Sequence, residues 1–162
     1  MVDDRQAFQD YYPDDVAHCY GCGHLNEHGH QLKSYWEGEQ TVARYTPRPY
    51  HTAIPGYVYG GLIASLIDCH GTGTAAAAAA RLADWDPDTD PVPPGELPRF
   101  VTASLRVDYL APTPLGPELE VRGTVKEATE RKVVVEATLS AEGKVTAQGT
   151  VIAVRMPESM IK

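Results

Sequence analysis

The chain has 162 residues, 43% of them hydrophobic, which is enough for one domain with a substantial core. A net charge of −8 excludes nonspecific nucleic-acid binding and leaves any anionic ligand dependent on a local basic patch. No apolar run is long enough to span a bilayer, the first residues lack a signal-peptide pattern, and three cysteines argue against a disulfide framework, so a single cytoplasmic domain over 1–162 is expected.

Residues 1–30 read as an N-terminal extension, with a short helix over 3–12 stopped by Pro13 and then a loop carrying Cys19-Tyr20-Gly21-Cys22-Gly23 and His24, His28 and His30. Two short strands are expected near 31–37 and 40–46, joined through Gly38. Residues 47–58, with three prolines and a glycine, read as irregular chain leading to a helix over about 60–83. That helix is apolar all round, the mark of a buried one. Asp84–Pro98 carries five prolines and four aspartates and reads as a solvated insertion loop. Four alternating strands follow, near 101–109, 118–126, 133–139 and 145–155, with Ala141-Glu142-Gly143-Lys144 turning the third into the fourth. An antiparallel sheet must cover its apolar face, and one long helix is the only element able to do so, giving an α+β class.

The most informative stretch is Tyr59-Gly60-Gly61-Leu62-Ile63-Ala64-Ser65-Leu66-Ile67-Asp68. A helix N-terminus offers unpaired N–H groups and the positive end of a dipole, which suits a developing oxyanion. Glycine lets a carbonyl approach that backbone closely. Asp68 is the only charged side chain between Arg48 and Arg81, and a lone carboxylate on an apolar helix is either satisfied locally or reactive.

Taken together, these segments resemble the hotdog-fold acyl-CoA thioesterases, an antiparallel sheet wrapped around one long central helix. Within them the chain looks most similar to the branch of 4-hydroxybenzoyl-CoA and phenylacetate-pathway (PaaI-like) thioesterases. That family reads His-Gly-Gly, six variable residues, then Asp or Glu; Gly60, Gly61 and Asp68 stand at the matching places. The approach His51-Thr-Ala-Ile-Pro55-Gly56, the segment from Val101-Thr102 to Pro114-Leu-Gly116, and the Cys19-x-x-Cys22-Gly23 loop also fit the family's order. Two positions depart from it: Tyr59 replaces the family's histidine, and Ala53 stands where several members carry a polar group.

The resemblance implies hydrolysis of an acyl-CoA, with coenzyme A entering only as part of the substrate and neither metal nor redox cofactor required. It makes Asp68 the general base or the nucleophile, the Gly61 N–H the oxyanion donor, and Thr102 a hydroxyl that orients the acid or its water from the neighbouring subunit. Tyr59 still offers a hydroxyl beside Gly60. A homodimer with sites at its interface is expected, with a tetramer of such dimers as the alternative. A non-catalytic acyl-CoA-binding module is the alternative, and an enoyl-thioester hydratase a weaker one.

For the phosphates of coenzyme A, Arg131 and Lys132 in the turn Glu130-Arg131-Lys132 are the best cations, with Arg99 and Arg106 secondary. Cys19 and Cys22 with two of the histidines could make a tetrahedral zinc set, but the spacing is not that of a zinc finger, and small buried thiols are the preferred reading. Cys69 reads as core packing and His70 as a polar helix face or subunit contact. Ser65 lacks a nucleophile-elbow context.

Overall fold

The computed structural model describes residues 4–90 and 97–161. Six strands form one antiparallel sheet in the order β1-β2-β4-β5-β6-β3: β1 Ser34–Glu37, β2 Gln40–Tyr45, β3 Phe100–Tyr109, β4 Leu119–Ala128, β5 Lys132–Ala141 and β6 Lys144–Arg155. Helix α1, Gly60–Leu82, lies against the sheet, as the alternation and the resemblance predict. Among the described residues, no helix is long and apolar enough to cross a membrane.

Alternation becomes burial in the central strands. Val121 of β4, Val133, Val135 and Leu139 of β5, and Ala147, Val151 and Ala153 of β6 are buried against the helix. The helix fills the rest of the core with Leu62, Ile63, Leu66 and Ile67, then with the run Ala75–Ala80. Small residues let it sit close to the sheet: a Cβ on Gly71 would stand 2.5 Å from Val151. Arg81 ends the helix by stacking 3.6 Å over the Trp36 ring, where a cation also suits the dipole. Glu142 and Gly143, at φ 52° and 80°, make the two-residue turn between β5 and β6, the conformation that matches strand twist.

Two expectations need correction, the N-terminal helix and the burial of β3. The predicted N-terminal helix is two short 3-10 turns, Phe8–Tyr11 and Asp14–Val16, and Pro13 sits between them as the residue before the second turn. The predicted insertion loop falls partly on 91–96, outside the described residues. Its flanks are anchored, because Trp85 and Leu97 are buried and Trp85 meets Tyr11 edge-on at 5.1 Å. Strand β3 alternates in sequence but not in burial: residues 102–106 are all exposed. It pairs only with β6, kinks at Ala103 where the register shifts between Thr102 and Ser104, and among the described residues presents an unpaired outer edge.

His70 is also corrected. It is fully buried, with Nδ1 2.8 Å from the Ser34 hydroxyl and Nε2 3.0 Å from that of Thr41. Thr41 reaches Thr74 at 2.7 Å, and the Gln9 amide donates to Ser34 at 3.0 Å. The network ties α1 to β1, β2 and the first 3-10 turn. Burial pushes its imidazole down to about 4, so it is neutral and satisfied on both nitrogens.

Candidate active site

Asp68 lies two helical turns inside α1, on a half-buried face opposite the start of β3. The Thr102 hydroxyl donates to its Oδ1. Burial pushes the Asp68 carboxyl above the usual carboxylate range; the Thr102 bond pulls the other way, the Cys19 sulfur adds to the rise, and Arg99 opposes it. The bond lies within one chain, whereas the resemblance implied a threonine from the neighbouring subunit.

At the helix start, Tyr59 is the N-cap residue and its side chain makes no capping bond. The Leu62 N–H turns back to the Tyr59 carbonyl at 3.2 Å, and Gly61, one residue earlier, is exposed. Both glycines lie against aromatic side chains. A Cβ on Gly61 would lie 2.6 Å from the Tyr59 ring, and one on Gly60 would lie 3.2 Å from the Tyr109 hydroxyl. That hydroxyl donates to the Gly60 carbonyl at 2.7 Å. Tyr57, Ile63, Tyr109, Leu110 and Pro112 line a groove of about 380 Å³ beside this turn. Behind it, His51 is wedged among Tyr50, Tyr45, Tyr59 and His30, its Nδ1 accepting the Arg48 N–H at 2.9 Å. Sequence reasoning missed Tyr109; the one signal was an aromatic residue closing the apolar face of β3.

The chain that carries this helix start and half-buried acid is similar to known proteins. A family model described as "Thioesterase superfamily" matches residues 55–148. A thioesterase superfamily protein from Shewanella loihica PV-4 is 55% identical, with a TM-score of 0.66 over 89% of this chain and 98% of that one. The chain belongs to the thioesterase superfamily. Two more distant structures share the fold of this thioesterase-family chain. The Escherichia coli PaaI protein from the phenylacetic acid degradation operon is 14% identical, with a TM-score of 0.61 over 79% of this chain and 81% of its own. The smu.793 protein of Streptococcus mutans UA159, solved bound to acetyl CoA, is 17% identical, with a TM-score of 0.62 over 82% of this chain and 96% of its own. No curated protein matches this sequence.

The candidate cations of this superfamily member separate. Lys132 pairs with Val154, which pairs with Val101, so the Arg131–Lys132 turn stands at the Thr102 end of the sheet, two strand spacings (about 10 Å) from β3. Both side chains are exposed, and Lys132 approaches Glu127 at 3.9 Å. Arg106 sits on exposed β3 beside Asp108 at 3.5 Å, lining a polar cleft with Arg122 and Gln148. Arg99 turns inward instead. Its guanidinium lies 4.7 Å from the Tyr12 ring and donates to the Phe100 carbonyl at 2.6 Å. Burial works against its charge, but the Tyr12 hydroxyl and the sulfurs of Cys22, Cys19 and Cys69 outweigh burial and raise its pKa.

The two-cysteine, two-histidine set is not assembled. His24 Nδ1 bonds the Gln9 carbonyl at 2.9 Å, His30 Nδ1 bonds the Tyr45 hydroxyl at 3.0 Å, and His28 lies in solvent beside Glu27. Cys69 joins Cys19 and Cys22 instead.

Proposed function

We propose that this protein hydrolyses an acyl-CoA thioester to a carboxylic acid and free coenzyme A. The observation that carries the reading is Asp68: a half-buried carboxylate, with its pKa raised and its Oδ1 held by the Thr102 hydroxyl. Oδ2 is then left to take a proton from water as that water attacks the thioester carbon, or to attack the carbon itself. In either route the carbonyl oxygen becomes an oxyanion that the Gly61 N–H and the helix dipole stabilise, and the CoA thiolate departs.

Gly61 and Asp68 are seven residues apart, about 10 Å along the helix, too far to serve one carbonyl. A site built from Gly61 of one chain and Asp68 of another removes the difficulty, and the open edge of β3 is where two chains would join. This supports a homodimer as the active form. The apolar groove beside Gly60 would take the pantetheine or acyl portion, and Arg131 and Lys132 the phosphates. The acetyl CoA bound to the Streptococcus mutans relative supports coenzyme A as the thiol carrier.

The test is thiol release from a panel of aromatic and aliphatic acyl-CoAs by wild type and Asp68→Asn. Turnover by wild type that collapses in the variant while acyl-CoA still binds is the expected result. Tight binding without turnover on any member would turn the reading to a binding module. In the covalent route water must then open the acyl–Asp68 anhydride, and label in the Asp68 carboxylate after a single turnover in ¹⁸O-water would establish that route.

A further inference from the structure

The Cys19–Cys22 loop and Cys69 come from places 50 residues apart in the chain, and the proposed hydrolysis uses none of the three. Their sulfurs lie within 4.8 Å of one another, and Cys19 Sγ is 3.8 Å from Cys69 Sγ. Two thiolates on one edge of a tetrahedral Zn–S site, with bonds of about 2.3 Å, stand about 3.8 Å apart. No disulfide joins any of them.

The backbone is built around the sulfurs. The Gly23 N–H donates to the Cys19 carbonyl at 2.7 Å, which closes the Cys-x-x-Cys-Gly turn. A Cβ on Gly21 would stand 2.3 Å from Cys69 Sγ, so only glycine there lets the loop rest on the helix at this point. Cys22 and Cys69 are buried, while Cys19 is partly exposed and leaves a side for a fourth ligand from solvent. Two further groups face the cluster. Arg99 interacts electrostatically with all three sulfurs, and the buried Tyr12 hydroxyl, which has no hydrogen-bond partner among the described residues, does the same.

We propose that Cys19, Cys22 and Cys69 form a three-thiolate site for a divalent d¹⁰ cation of the Zn²⁺ class. Charge favours a dication: three thiolates and a 2+ ion leave −1 beside the Arg99 guanidinium, whereas a monovalent ion leaves one more negative charge next to the Asp68 carboxylate. On binding, metal–sulfur bonds form, the remaining thiol protons pass to solvent, and no electron changes hands. The cation clamps the loop onto α1 one residue beyond Asp68 without ligating it, and because the Cys19 sulfur bears on the Asp68 carboxyl the site is tested by metal binding and not by activity.

The experiment is titration of the fully reduced full-length protein with Cd²⁺, read by the thiolate-to-metal charge-transfer absorption and displaced by Zn²⁺. One ion per chain is expected, with Zn²⁺ raising Tm and a chelator reversing the rise. Cys69→Ser and Cys19→Ser should lose that binding, while His24→Ala and His30→Ala keep it. Absence of a stoichiometric site in wild type would overturn the proposal, as would a site kept intact in folded Cys69→Ser. If Cys69→Ser does not fold, Zn²⁺ must protect all three wild-type thiols from alkylation; protection of Cys19 and Cys22 alone contradicts the site.

Discussion

Asp68 and His70 lie two residues apart on α1 and share almost nothing else. His70 has no exposed surface and finds a hydroxyl at each ring nitrogen, so the same burial that makes it neutral leaves it nothing to do but hold elements together. Asp68 is half-buried and, among the described residues, has one hydroxyl partner, on Oδ1. A titratable group completed by its own fold is architecture. One left incomplete beside a groove and an open helix start is a candidate for chemistry.

That contrast can be broken by substitution. Asp68→Asn should lower kcat on the best acyl-CoA by about 10²–10⁴-fold, the range for a lost general base, with little change in Tm. His70→Ala should do the reverse, costing about 3 kcal/mol of stability through a cavity and stranded hydroxyls, while the folded fraction keeps its rate. The two are distinguished by thiol release normalised to folded protein and by urea unfolding.

Acid should sharpen the contrast further. The folded pKa of His70 is about 4 against an ordinary 6.5, so its contribution is fully present above 6.5. Below that the unfolded chain takes up a proton that the folded chain refuses. Stability from this residue then falls by on the order of 3 kcal/mol as pH drops from 6.5 to 4. Urea unfolding against pH checks it, and His70→Gln should flatten this part of the profile.

Smaller effects test the surroundings of Asp68. Thr102→Val removes the hydroxyl that fixes the carboxylate and should cost about tenfold in kcat/KM with the fold intact. Arg131→Ala with Lys132→Ala should raise KM a few-fold for acyl-CoA and leave kcat unchanged, since exposed cations contribute about 1 kcal/mol or less. A truncated substrate lacking the nucleotide phosphates should not register that change.

The sequence made the core of this picture legible because the core is local. Gly60, Gly61 and Asp68 sit on one helix, so spacing alone put them two turns apart, and the alternation in β4, β5 and β6 reported a sheet that buries one face. What stayed hidden depends on contacts between distant segments. The apolar alternation of β3 matched that of a half-buried strand, yet its position at the sheet edge leaves it exposed. His70 looked like a surface residue because its partners, Ser34 and Thr41, lie more than 28 positions upstream. Arg99 looked like a free cation until the fold brought Tyr12 and the sulfurs beside it. Likewise the cysteine pair pointed to nearby histidines, while the third sulfur came from the helix.

The most direct test of the account measures thioester hydrolysis per folded molecule for wild type, Asp68→Asn and His70→Gln side by side on the same acyl-CoA. The account predicts a rate near wild type for His70→Gln despite its lower Tm, and a loss of at least about a hundredfold for Asp68→Asn at unchanged Tm. An Asp68→Asn protein that hydrolyses the thioester at the wild-type rate would contradict it.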